Sequence, residues 1–180
     1  MNFLKGGQKK LKVFMIGMFL VIGFLALANI FAGKLFYINT TDSAPKGIYK
    51  VSLNQNLHYG DYVIVSLPVD VPKLYVEKGF LLLKQVQGFP GDEYMVSNDA
   101  LEIRGKEYKI FHQEGLPELA VGERKVPEDE MLLLNDMELS FDSRYLGPIS
   151  KELIVKKVEL LLPYEPFICF VKKVMQNENL

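Results

Sequence analysis

The 180-residue sequence predicts a mainly β domain preceded by one N-terminal apolar helix, and three observations carry that reading. From Val13 to Gly33 the chain is uncharged, with Asn29 as its one strongly polar residue. Beyond Gly33 no long stripe of apolar residues recurs with the helical period; instead there are short apolar runs of strand length. Finally, Leu101 to Ile110 alternates apolar and polar residues on both sides of Gly105, the signature of a β-hairpin.

The elements follow in chain order. Residues 1–12 form a basic tail, with Lys5, Lys9, Lys10 and Lys12 and no acid. Residues 13–33 are long enough, at about 1.5 Å per residue, to cross a hydrocarbon core as a helix. Lysines ahead of such a span favour a cytoplasmic N-terminus and put residues 34–180 on the outer side, although Lys34, Lys46 and Lys50 beyond it weaken the asymmetry. The alternative is a cleavable secretory signal, with Ala26-Leu27-Ala28 as its processing site; Ile30, Phe31 and Ala32 continue the apolar run past that point.

Residues 34–175 are expected to form one domain, with strands at Tyr62–Val65, Phe80–Leu83, Met131–Leu134 and Leu153–Val155. Pro166–Val171 is too short to span a bilayer and reads as a buried strand, with contact to the lipid surface as the alternative. Residues 176–180 read as a flexible tail.

Charge and composition exclude several classes. The net charge of -1 combines +4 on the tail with -5 on the rest, so the body offers no basic face for nucleic acid. Cys169 is the single cysteine, which rules out an internal disulfide and a four-cysteine zinc site. His58 and His112 lack metal-ligand spacing, and no phosphate-binding glycine loop occurs, so neither a metal nor a cofactor is expected.

Three stretches carry chemistry. In a strand through Lys84, that residue shares a face with Phe80, Leu82 and Val86, while Gln85 and Gln87 face the other way. An amine on an apolar face loses affinity for its proton and becomes able to act as a base; the alternative is an edge lysine reaching out to solvent. Ser43 lies in the turn-rich segment Asn39 to Gly47, ten positions after Gly33 and so within at most ~35 Å of it. A serine hydroxyl needs a neighbouring base to attack, and a neutral lysine can be that base. The Ser43 N–H and the Thr41 hydroxyl are candidate oxyanion donors; read alone, the segment is equally an ordinary turn, and its Asn39-Thr40-Thr41 sequon is of a kind that arises by chance. In the third stretch, Ser140 can orient a lysine amine and Asp142 can pair with Arg144, although Asp142-Ser143-Arg144 alone also reads as a solvated turn.

Taken together, the stretches resemble the conserved boxes of the type I signal peptidase family, peptidase S26. Ser43-Ala44-Pro45-Lys46-Gly47-Ile48-Tyr49 is similar to the S-x-P-x-G-hydrophobic-Tyr box of the conjugative-transfer (TraF-type) branch. Leu83 to Asp92 resembles the lysine box, with Gln85 in place of its usual arginine, and Ser140 to Pro148 resembles the last box, S-x-D-S-R-x-x-G-P. Gly60-Asp61-Tyr62-Val63 is similar to the family's G-D-x-V strand, whereas Leu134-Asn135-Asp136 departs from its G-D-N.

The resemblance implies an antiparallel-sheet catalytic domain behind an uncleaved transmembrane helix of the bacterial inner membrane. It implies Ser43 as nucleophile, Lys84 as general base, Thr41 and the Ser43 amide as oxyanion hole, Ser140 as orienter of the lysine, and Asp142 with Arg144 as a structural pair. The strand Leu81, Leu82 and Leu83 is expected to bind the substrate, an exported preprotein and in this branch a pilin precursor. Besides the lipid bilayer, other conjugation or secretion components are candidate partners. Water or the product's own amine could complete the reaction. A housekeeping signal peptidase and a non-catalytic membrane-tethered β scaffold are the alternatives.

Overall fold

In the computed structural model of the chain, residues 3–31 and 34–165 are described, with side chains at 12–28, 30 and 34–165. Cys169, the segment Pro166–Val171 and the tail 176–180 lie outside the described residues. The chain divides into two units, Met1–Phe36 and Tyr37–Leu180. The first is built on α1 (Phe3–Phe31). Its side chains are described without a gap only from 12 to 28, and among the described residues no helix is long and apolar enough to cross a membrane.

The second unit is β, as its short apolar runs predict. A seven-stranded sheet has the order β1-β2-β11-β3-β4-β9-β10, from β1 (Phe36–Asn39), β2 (Gly47–Val51), β3 (Tyr62–Ser66), β4 (Leu81–Gly88), β9 (Glu130–Leu134), β10 (Ile149–Ser150) and β11 (Ile154–Pro163). A four-stranded sheet, in the order β7-β6-β5-β8, comprises β5 (Glu93–Val96), β6 (Ala100–Ile103), β7 (Lys106–Lys109) and β8 (Gly122–Lys125). The expected hairpin is β6–β7, closed by Arg104-Gly105 with φ of 54° and 71°, a turn that needs two left-handed residues.

The continuous apolar runs are strands covered on both faces. Leu132 and Leu134 of β9 pack with Tyr94, Leu101, Ile103 and Tyr108 of the smaller sheet, while Met131 and Leu133 pack with Val63, Val65 and Val86. β3 divides in the same way, since Ile64 joins Tyr37, Tyr49 and Val158 in a third cluster. A strand buried on both faces has no polar side to alternate with, which is why these segments read as unbroken runs.

Several boundaries differ from the sequence reading, the largest being that α1 begins at Phe3, inside the stretch read as a basic tail. Phe80 lies just outside β4, and Leu153 belongs to a 3-10 turn, Lys151–Leu153, while β11 runs on to Pro163. β11 was hard to see because few of its side chains are buried, chiefly Lys157 and Val158, and register shifts at Ile154/Lys156 and Leu160/Leu162 break its period.

Gly47 begins β2 opposite Pro163. A Cβ there would strike the Leu162 carbonyl oxygen and come within 2.8 Å of Leu160 Cδ1. Gly47→Ala is therefore expected to cost about 1–3 kcal/mol through overpacking, read as a lower thermal midpoint; an unchanged midpoint would show that β2 and β11 do not approach this closely.

Candidate active site

Lys84 occupies the middle of β4. The Val86 N–H donates to the Asp61 carbonyl at 2.9 Å and the Val86 carbonyl accepts from Gly60 N–H at 2.7 Å, so the even-numbered backbone groups of β4 face β3. Lys84 stands opposite Val63, its side chain on the same face as Leu82 and Val86, and it is 2% exposed. Its Nζ donates to Ser140 Oγ at 2.9 Å. Among the described residues no carboxylate lies within ion-pairing distance of it. Burial lowers its pKa from 10.5 to about 8; the Asp142 carboxylate pulls the other way, and Arg144 offsets that pull.

A second buried lysine shows what this arrangement avoids. Lys157 stands opposite Val63 from the other side, in the same row and two strand spacings, ~10 Å, from Lys84. Its Nζ meets Asp61 Oδ2 at 2.6 Å and donates to the Asn56 carbonyl at 2.9 Å. One buried amine is thus paired with a carboxylate. The other has a hydroxyl instead.

Residues 135–144 build the wall around Lys84. Arg144 and Asp142 are both fully buried, with Nε to Oδ1 at 2.8 Å and Nη2 to Oδ2 at 3.1 Å, a forked pair. The guanidinium also donates to the carbonyls of Asn135 (2.6 Å), Glu138 (3.0 Å), Lys109 (3.2 Å) and Met137 (3.3 Å). Asp142 accepts from Asn135 N–H at 3.1 Å and caps the short helix α2 (Ser143–Leu146). A buried ion pair with its remaining groups satisfied is costly to break, about 3–5 kcal/mol. It fixes the loop that carries Ser140.

The Ser43 loop is organised by Asn39, which is 8% exposed. Asn39 Nδ2 donates to the carbonyls of Ala44 (2.9 Å), Thr41 (3.1 Å) and Pro45 (3.2 Å), and its Oδ1 accepts from Thr41 N–H (3.2 Å) and Thr41 Oγ1 (2.8 Å). Three carbonyls at one end and an N–H at the other leave only one orientation for this amide. The Thr41 proton therefore goes to Asn39, so in the 2.9 Å contact between Thr41 Oγ1 and Ser43 Oγ the serine is the donor. Tyr49 pins the same loop from below, its hydroxyl donating to the Pro45 carbonyl at 2.7 Å.

The structure thus joins Lys84 to Ser140, Asp142 to Arg144 and Thr41 to Ser43. No hydrogen bond joins Ser43 to Lys84 among the described residues; Ser43 Oγ is bonded to Thr41 and Lys84 Nζ to Ser140. Leu81, Leu82 and Leu83 pair with Ser66, Val65 and Ile64 of β3 on one edge, while on the other β9 pairs with β4 only from Gln85 onward. The edge beside Leu81 and Leu83 is therefore free of β9. His58 lies beside Asp61, and His112 lies between Glu118 and the Asn98 carbonyl; among the described residues neither is hydrogen-bonded to Lys84 or Ser43.

Sequence reasoning missed Asn39 and Asn135. Both are asparagines whose side-chain amides hydrogen-bond backbone groups, and Asn39 followed two residues later by Thr41 carries the local signal of an Asx turn.

The family model for signal peptidase, peptidase S26, matches residues 11–162. Signal peptidase IB of Staphylococcus aureus strain Mu50 is 27% identical over 162 residues, covering 74% of this chain and 85% of that protein. A probable signal peptidase I-2 of Synechocystis is 33% identical over 93 residues, half of this chain and 41% of that protein, so the chain spans less than half the length of that relative. A crystal structure of a signal peptidase I from Enterococcus faecalis V583 aligns with 60% of this chain and 100% of its own, at 20% identity and a TM-score of 0.40. The chain belongs to the signal peptidase family, peptidase S26, and is a serine endopeptidase of the signal peptidase I type.

Proposed function

We propose that this enzyme is a membrane-anchored Ser/Lys signal peptidase that removes the leader of an exported preprotein, with Ser43 as nucleophile and Lys84 as general base. The observation that carries this reading is the Lys84 amine, buried against Ser140 Oγ with no carboxylate partner among the described residues and with its pKa lowered to about 8. Holding an unneutralised lysine in a sheet core costs stability, and a role as proton acceptor accounts for that cost.

In the mechanism an extended segment of substrate pairs with the open β4 edge at Leu81 and Leu83. The Ser43 hydroxyl turns from Thr41 to Lys84 and attacks the scissile carbonyl, its proton passing to the amine. The Ser43 N–H stabilises the oxyanion, joined by the Thr41 hydroxyl once that hydroxyl releases Asn39. The resulting ammonium protonates the leaving amine, giving an acyl-enzyme. Water, deprotonated by the same lysine, then releases the new carboxyl end and restores the Ser43 hydroxyl.

The substrate class within this reading is a pilin precursor of a conjugative system, supported by the Ser43–Tyr49 box, S-x-P-x-G-hydrophobic-Tyr. In that setting an amine of the product can replace water as acyl acceptor. The uncharged stretch of α1 after Lys12 serves as the anchor, and Lys5, Lys9, Lys10 and Lys12 in the first part of that helix favour a catalytic unit on the outer side of the inner membrane. Complementation of a strain lacking its housekeeping enzyme separates this specialised role from general preprotein processing.

Two predictions follow from the buried amine. Ser43→Ala and Lys84→Ala are each expected to abolish precursor processing in membranes, and wild-type activity should rise with pH through a midpoint near 8 as the amine loses its proton; processing by either variant, or a flat profile from pH 6 to 10, contradicts the assignment. The second concerns stability. The unfolded chain holds its lysine proton up to the ordinary value of 10.5 while the folded one releases it near 8, so stability should rise with pH between those values and be fully penalised below them. Lys84→Met is therefore expected to be inactive yet about 1–3 kcal/mol more stable at pH 7, measured by denaturant unfolding. A destabilised Lys84→Met would mark the lysine as structural.

A further inference from the structure

Asn135 follows the last residue of β9, at the point where that strand leaves β4. Leu134 is still paired with Gln85, and one residue later the backbone of Asn135 is taken by other groups, its N–H by Asp142 and its carbonyl by Arg144. The side chain stays with β4. Asn135 Nδ2 donates to the Leu83 carbonyl at 2.9 Å, and Asn135 Oδ1 accepts from Gln85 N–H at 3.1 Å. The side-chain amide therefore acts as one further peptide unit of the β9 ladder, bonded to β4 on either side of Lys84, and there the ladder stops.

The position of that stop matters for the open edge. Even-numbered backbone groups of β4 face β3, so the groups free to pair with a docked strand belong to Leu81 and Leu83. The Leu83 carbonyl is already taken by Asn135. What remains is the N–H and carbonyl of Leu81 and the N–H of Leu83, so a docked strand finds one acceptor for its own N–H groups instead of two.

We propose that Asn135 is a positioning residue that sets the register of the substrate strand: by occupying the Leu83 carbonyl it ends the β4 edge one bond before Lys84, so that only one alignment brings a peptide bond to the catalytic groups. This deepens the function proposed above and rests on it. In a strand pairing, a slip of two residues keeps side chains on the same faces and is opposed by the hydrogen bonds it forfeits. An edge that ends at Leu83 removes the next alignment towards Lys84. Buried at 2% exposure and tied to the Asp142–Arg144 pair through its backbone, Asn135 is rigid enough to serve as such a stop.

The test uses the full-length enzyme in detergent and a precursor-derived peptide series in which one backbone nitrogen at a time is methylated. With the wild-type enzyme, methylation at one nitrogen, the one facing the Leu81 carbonyl, should lower kcat/KM about tenfold, the kinetic equivalent of one hydrogen bond. Methylation two residues further on should be tolerated. Two sensitive nitrogens in that spacing would mean the Leu83 carbonyl is in use, and would overturn the proposal without any enzyme variant. Asn135→Ala should add the second sensitive nitrogen and give products cut at a second bond, seen by mass spectrometry; a folded Asn135→Ala that cuts only the original bond, with one sensitive nitrogen, also overturns it. Ser43→Ala, assayed in parallel, keeps the two readings apart. If it is active the nucleophile assignment fails, whereas if it is inactive while the wild type shows two sensitive nitrogens, only the register stop fails.

Discussion

A primary amine withdrawn from water, with a hydroxyl for its hydrogen-bond partner where a carboxylate would be expected, is the constraint on which the rest of the catalytic unit depends. Removing an ammonium from water is unfavourable by several kcal/mol, and proteins ordinarily offset the cost by pairing the charge. Lys157, in the same row of the sheet, is paired in that way with Asp61. Lys84 has no such partner among the described residues, and Asp142, the carboxylate that acts on it, is already engaged by Arg144 through two hydrogen bonds. A lone carboxylate beside Lys84 would hold it protonated, and the Arg144 guanidinium cancels much of that pull. The ion pair therefore fixes a loop, and its guanidinium offsets part of the pull its carboxylate exerts on a lysine whose proton affinity burial has lowered.

The segment from Asn135 to Arg144 turns that constraint into geometry. Four backbone carbonyls converge on the Arg144 guanidinium, which shapes the loop and leaves Ser140 aimed at Lys84. Where the backbone leaves the sheet to make these contacts, the Asn135 amide takes its place on β4. In the Ser43 loop a second asparagine performs a comparable task, since Asn39 holds three carbonyls and fixes the direction of the hydroxyl chain from Ser43 through Thr41. In this arrangement the serine proton rests on Thr41 and the lysine rests on Ser140.

Much of the fold was legible because the core strands β3 and β9 are covered on both faces and so stand out as apolar runs. The β6–β7 hairpin was legible for the opposite reason, since strict alternation around Gly105 reflects one buried and one exposed face. β11 was read too short because most of its side chains are exposed and its register shifts twice, and β8 escaped notice because an edge strand rich in charge has no apolar pattern at all. At the site, the apolar face of Lys84 was visible from its neighbours two residues away on β4. The role of Asn135 was not, because it acts on Leu83 and Gln85, which only folding brings beside it, whereas Asn39 acts on near neighbours and left a local turn signal.

Burial makes Lys84 hold its proton far less tightly than an ordinary lysine does. Labelling lysine side chains with carbon-13 and following the Lys84 ε-carbon by NMR as pH is raised, with Lys84→Met used to assign the signal, reads that property directly. The account predicts an inflection near 8. An inflection at or above the ordinary value of 10.5 would contradict it.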